Sequence, residues 1–122
     1  MSKRGDLEFL SDIKEAIKRI ENYTKSISYS SFKKNTKTQD AVVRNIEIIG
    51  EAAKSISNNL KEECPQIPWK KITGIRDRLI HSYFGVNYDI VWAVAKKELK
   101  AVSSEIDNLL QKLKDSKNKT NK

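Results

Sequence analysis

Apolar residues recur along this chain at steps of three and four, and the recurrence predicts helices. Leu7, Leu10, Ile13, Ile17 and Ile20 form the first stripe, the mark of an amphipathic helix. Asp6 is placed to cap its start, and Asp6 and Glu8 lie where acids favour the positive helix end. The serine-rich stretch KSISYSSFKKNTKTQ that follows reads as a long flexible connection. The second stripe, Val42, Ile46, Ile49, Ala53, Ile56 and Leu60, steps by 4, 3, 4, 3 and 4. Thr38 is its expected cap, and Pro65 bars continuation much beyond Glu63. Gly50, Ala52 and Ala53 cluster in the middle of this stripe. Glycine costs an exposed helix about 1 kcal/mol against alanine, so its presence here predicts a close approach by another backbone.

A turn-rich connection, CPQIPWKKITGI, leads into a short third helix starting near Ile72, which is expected to carry RDRLIHSY and to run out around Gly85. Asn87 then caps a new start, with Asp89 in its first turn. From there Val91, Ala95, Leu99, Val102, Ile106, Leu109 and Leu113 step by 4, 4, 3, 4, 3 and 4, a spacing suited to shallow-angle packing against another long helix. The terminal DSKNKTNK has no apolar residue and is predicted to be disordered. No convincing strand and no repeat is present. The reading is an all-α protein, an antiparallel helical bundle over residues 1–114 with a lysine-rich tail over 115–122.

Composition narrows the function. The 122 residues, 38% hydrophobic and 33% charged, fit one domain with a wet surface. Charges at Lys3, Arg4, Asp6 and Glu8 speak against a signal peptide, and no apolar run approaches the roughly 20 residues of a membrane helix. The single cysteine, Cys64, can form no internal disulfide and supplies no metal cluster; a reducing cytoplasm is the expected location. The net charge of +8 is unevenly spread. Residues 25–39 carry Lys25, Lys33, Lys34 and Lys37 with no acid, and residues 112–122 carry five lysines against Asp115. The remainder is neutral, with 15 basic and 15 acidic residues. Such segments serve either as solvated, solubilising stretches or as binding arms.

Glycine-rich phosphate loops, the dinucleotide fingerprint and a serine-elbow motif are absent, and one histidine and one cysteine argue against a metal site. Glu47 and Glu51, at i and i+4, read as surface or inter-helix polar contacts. What remains is Arg76, Asp77, His81 and Tyr83. Arginine is a fixed cation shaped to hold phosphate, and histidine both takes and gives protons near neutral pH, so the pair suggests chemistry on a phosphodiester. On a straight helix, however, His81 lies about 140° from Arg76, whereas Arg76 and Tyr83 share a face. Joining arginine and histidine requires the arginine stem to wrap, the helix to loosen near Gly85, or a second subunit. The last has a chemical attraction: metal-free RNA cleavage needs both a base and an acid, and a two-fold dimer would bring two His81 and two Arg76 into one cleft. A histidine that merely fills a helix interface is the alternative.

The run PWKKITGIRDRLIHSYFGVNYDIVW, with RNIEIIGEA upstream, resembles the HEPN superfamily, and more closely the HepT-type toxins of HepT–MntA toxin–antitoxin pairs. The resemblance covers roughly Leu7 to Leu113. It implies an all-helical dimer with the two motifs facing a shared cleft, acting as a metal-independent endoribonuclease that needs no cofactor. It further implies that Arg76 and His81 are catalytic, and that Tyr83 is the tyrosine that an MntA-type nucleotidyltransferase antitoxin modifies with AMP in a type VII system. Asp77 stands where many relatives have asparagine and is a supporting polar residue; Asn87 stands where aspartate is usual. The rival reading is a non-catalytic HEPN-like module that binds nucleotide or protein through the same cleft.

Overall fold

The computed structural model describes residues 5–81 and 85–120, with the backbone alone for residues 80–81 and 117–120. The first stripe forms α1 (Asp6–Thr24), burying Leu10, Ile13, Ile17 and Ile20. Asp6 does not cap it. Gly5 occupies the cap position, its N–H held by Glu8 Oε2 at 3.0 Å, while the Asp6 carboxylate accepts the N–H and hydroxyl of Ser57 at 2.8 and 2.6 Å. The start of α1 is thereby tied to a break in the second stripe. That stripe runs as α3 (Thr36–Ser55), leaves the helix at Ile56, and resumes as α4 (Asn58–Glu63). Ser57 produces the break because its hydroxyl caps α4, accepting the Leu60 N–H at 3.2 Å. The cap of α3 is Asn35, accepting the Thr38 N–H at 3.0 Å, rather than Thr38 itself.

The connection between α1 and α3 contains a further helix, α2 (Tyr29–Lys34), where sequence suggested only flexible chain. Ser28 caps it through the Ser31 N–H. Phe32 is fully buried, its ring 5.0 Å from Trp92 and 6.4 Å from Tyr88, while Tyr29 lies 5.8 Å from Trp92. Gln39 of α3 closes the other end, donating to the carbonyls of Phe32 and Lys33 at 3.0 Å each, two of the acceptors that a helix end leaves unmatched. Burial of one aromatic ring of this size is worth about 3 kcal/mol, enough to order a short segment that serine content alone marks as loose.

Beyond α4, the Trp69 indole N–H donates to the Cys64 carbonyl at 3.0 Å, closing the proline-rich turn ahead of α5 (Trp69–Thr73). Then come α6 (Ile75–Leu79) and a minimal antiparallel pair, β1 (Ile80–His81) with β2 (Gly85–Val86). The third helix therefore ends before the histidine, and strand pairing occurs where none was expected. The final helical stretch is capped by Asn87, whose side chain accepts the N–H groups of Asp89 and Ile90 at 3.1 and 3.2 Å. It begins as α7 (Tyr88–Ala93), widens through a π-helical turn over Val94–Glu98, and continues as α8 (Leu99–Thr120). Residues 115–120, predicted as a tail, extend α8, supported at their start by Gln111 donating to Asp115 at 3.0 Å.

In the assembled bundle α1 packs along α3 and against α8, and a single apolar core of Leu, Ile, Val and Ala side chains runs through all three. Among the described residues no helix is long and apolar enough to cross a membrane. The small-residue cluster has the purpose its sequence implied. A Cβ on Gly50 would stand 3.3 Å from Ile75 Cγ2 and 3.7 Å from the Ile72 carbonyl, so the bare glycine lets α5 and α6 seat on α3. Gly50→Val should cost about 2 kcal/mol by overpacking, read as a lower urea midpoint. Gly50→Ala should stay within about 1 kcal/mol of the parent, since gained helix propensity offsets the tight methyl contact. An unchanged midpoint for the valine variant would contradict this packing.

Candidate active site

The helix α6 is one turn and a half, and its two apolar residues define its orientation. Ile75 and Leu79, four apart, are buried, which turns Arg76 and Asp77 outward. Arg76 is more than half exposed, with its Nε 3.9 Å from Glu47 Oε2 of α3. It opens onto a groove of about 420 Å³ lined also by Arg44, Glu51, Ser55 and Phe9. Glu47 is thus an inter-helix polar contact, as its sequence position suggested, but one made to the candidate phosphate-binding arginine. Glu51, one turn on, faces Lys54 at 3.7 Å. An exposed pair of this length holds Arg76 weakly, and an incoming phosphate can replace the carboxylate.

His81 is not on the helix of Arg76. The helix stops at Leu79, whose carbonyl is taken by the Asn87 N–H at 2.7 Å, and the chain enters β1, where His81 pairs with Gly85. Gly85 has φ +74°, a left-handed conformation that glycine alone adopts without strain. The angular separation of about 140° assumed one continuous helix, so that obstacle to an Arg–His site is removed. Of the four site residues read from sequence, Arg76 and Asp77 are adjacent and outward-facing on α6, and His81 is placed by its backbone on the hairpin. Tyr83 lies outside the described residues. Among the described residues no group of histidine, cysteine and carboxylate side chains could hold a metal ion.

Sequence reasoning missed the lock on the other side of α6. The two terminal nitrogens of Arg78 donate to the two carboxylate oxygens of Glu98 at 2.8 and 2.7 Å, a bidentate pair of the strong kind, and Lys71 of α5 adds its ammonium at 3.4 Å. Glu98 ends the π-helical turn, and such turns are frequent at functional sites. Their wider winding buries both Val94 and Ala95. Two consecutive steps of four, Val91–Ala95–Leu99, were the only trace of that turn in the sequence. The hydrogen bonds from Arg78 hold the Glu98 carboxyl below its ordinary range, against the opposing effect of burial, and the charges of Arg78 and Lys71 add to the lowering. The same pairing raises Arg78. A carboxylate lowered in the folded state stabilises above its unfolded value, about 4.3, and that contribution is lost as pH falls through the folded value. Glu98→Gln should therefore cost about 1–2 kcal/mol at pH 7, allowing for partial exposure, and the gap to the parent should be narrower at about pH 3. Urea unfolding at both pH values checks this; a gap equal at both would remove the ionic lock.

Comparison with known proteins identifies a family and several relatives. The family model described as "Ribonuclease HepT-like" matches residues 13–109. The "Probable ribonuclease HepT" of Thermococcus cleftensis is 42% identical over 107 residues, covering 88% of this chain and 97% of that protein. "Putative RNase MJ1216" of Methanocaldococcus jannaschii is 43% identical over 111 residues, 91% of this chain and 92% of that protein. The same organism's "Gamma-glutamylcyclotransferase and putative RNase MJ0434" is 42% identical over 114 residues, 93% of this chain but 50% of that protein, so the unit also occurs within a longer chain. No solved structure matches significantly. The match spans every element from the middle of α1 to the middle of α8 and includes Arg76 and His81: the chain belongs to the HepT-like ribonuclease family.

Proposed function

We propose that this protein is a metal-independent endoribonuclease, the toxin of a type VII toxin–antitoxin system, with Arg76 and His81 as its catalytic residues. The observation that carries the reading is the exposed Arg76 on α6, followed within one hairpin by the sole histidine, in a chain of the HepT-like family. The 2′-hydroxyl of the RNA loses its proton to a general base and attacks phosphorus. The 5′-oxygen leaves with a proton from a general acid, giving a 2′,3′-cyclic phosphate and a free 5′-hydroxyl. Arg76 stabilises the charge that builds on the phosphoryl oxygens, and Asp77 beside it supports the site.

One chain has one histidine for the two proton transfers, so the active unit is a homodimer or a higher assembly built from it. The groove around Arg76 suits a two-fold contact. Arg44 and Arg76 lie with Glu47 and Glu51 in one surface, so a rotated copy can set arginine against glutamate. Half-buried Phe9 and Ile48 pack at the same face. The buried Asn45 Oδ1 lacks a partner among the described residues.

Silencing is proposed to come from an MntA-type nucleotidyltransferase. The Tyr83 hydroxyl attacks the α-phosphorus of ATP, pyrophosphate leaves, and the tyrosyl–AMP ester adds a phosphate and a nucleoside two residues after His81 in the sequence, where they would compete with substrate. The protein acts on RNA, and the cytoplasm supplies both RNA and ATP.

His81→Ala should lower RNA cleavage by at least 100-fold in the presence of EDTA, in line with loss of a general acid–base group. Equal cleavage by the two proteins, or none by either, would contradict the enzyme and favour a nucleotide- or protein-binding module. Intact mass after incubation with ATP and the nucleotidyltransferase should report one added AMP that Tyr83→Phe does not acquire. An adduct that persists in Tyr83→Phe would assign the modification elsewhere.

A further inference from the structure

We propose that α2 and the lysines on either side of it form a fixed cationic track that guides the backbone of an RNA strand toward the cleavage hairpin. This rests on the ribonuclease reading and adds to it a substrate longer than the scissile dinucleotide. The segment 25–39 holds Lys25, Lys33, Lys34 and Lys37 without an acid, and the fold gives those lysines definite places. Lys25 follows the last turn of α1, Lys33 and Lys34 end α2, and Lys37 lies in the first turn of α3. Lys33, Lys34 and Lys37 sit on helices, and Lys25 on the turn that directly follows α1. Phe32 is clamped by Trp92 and Tyr88, and Gln39 holds the final carbonyls of α2.

The clamp also aims the segment. Lys33 Nζ lies 3.7 Å from Asp89 Oδ1, in the first turn of α7. Two residues earlier, Asn87 bonds to Leu79 at the end of the Arg76 helix, next to the strand pair that carries His81. The cationic helix and the candidate catalytic hairpin are thus joined through one turn of α7.

A second lysine group continues the surface. Lys25, Lys96 and Lys100 line a cavity of about 280 Å³ in which Glu21 is the one acid. Lys96 Nζ sits 5.4 Å over the ring of Trp92, the same ring that packs on Phe32 and Tyr29. Six lysines therefore flank one aromatic cluster, against Glu21, Asp40 and Asp89 among the described residues. Lysine suits this use because it is a mobile point charge on a long stem, matched to a repeating phosphate without base selection. The exposed Lys33–Asp89 contact is weak enough to yield to such a phosphate. An acidic protein partner would also meet positive charge here, but RNA is favoured because the surface leads to the residues that must hold a phosphodiester.

The test combines Lys25→Gln, Lys34→Gln and Lys37→Gln, three exposed positions outside the aromatic clamp, and checks by thermal unfolding that the fold is kept. Binding of a 30-nucleotide RNA is measured in the His81→Ala background across salt concentrations. Cleavage of the 30-mer and of dinucleotides is measured with His81 intact. Loss of three phosphate contacts should lower the slope of log affinity against log salt by about 2, and preference for the 30-mer over dinucleotides should fall about tenfold. An unchanged slope with unchanged preference would overturn the track. Unchanged RNA affinity with lost binding of the nucleotidyltransferase would overturn it too, making the face a protein interface. Absence of cleavage by the parent would defeat the ribonuclease reading alone, because the binding slope in the His81→Ala background still reports on the track.

Discussion

The missing side chain at Gly50 is the constraint on which the position of the site depends. A Cβ there would stand 3.3 Å from Ile75 Cγ2 and 3.7 Å from the Ile72 carbonyl, so a side chain larger than a methyl would push α5 and α6 off α3. Because Ile75 is held there, α6 has one orientation on α3, and Arg76, the next residue, emerges beside Glu47. Arg78 reaches the opposite way to Glu98 on the π-helical turn. A helix of five residues is too short to hold itself in water. It persists because glycine on one side and a bidentate ion pair on the other fix it.

That arrangement separates the arginine that holds α6 from the arginine proposed to be catalytic, two residues apart. Arg78 is committed to a short, partly buried pair, whereas among the described residues Arg76 has one long, exposed ion pair, to Glu47. Directly beyond, the Leu79 carbonyl leaves helical bonding for the Asn87 N–H, and left-handed Gly85 allows the chain to pair back on His81. The hairpin thus follows from the helix end and from one glycine, and it places the histidine on a different element from the arginine.

Much of the fold was legible because the stripes of α1, α3 and α8 are long and regular, and regular burial is what periodicity reports. The misreadings fall where a local polar group decides. Ser57 breaks the second stripe by capping, although Ile56 and Leu60 keep its spacing. Asp6 looks like a cap but bonds across the bundle to Ser57. The segment around α2 is rich in serine and lysine, and only the Tyr29 and Phe32 pair signalled that it docks; its partner Trp92 lies 60 residues away from Phe32, beyond any local pattern. Arg76, Asp77 and His81 could be named as candidates from their chemistry and from family resemblance. Their geometry could not be, because it depends on where α6 ends, and the Leu79–Asn87 bond that ends it is a tertiary contact.

A cleft shared by two chains makes a demand that a self-sufficient subunit does not. Heterodimers carrying one intact and one His81→Ala chain, purified by two different tags and assayed on RNA, measure it directly. If the two histidines divide the proton transfers, cleavage falls far below half of the intact dimer's rate, toward that of the doubly substituted dimer. Retention of about half would show that each chain cleaves alone and would contradict the two-chain site.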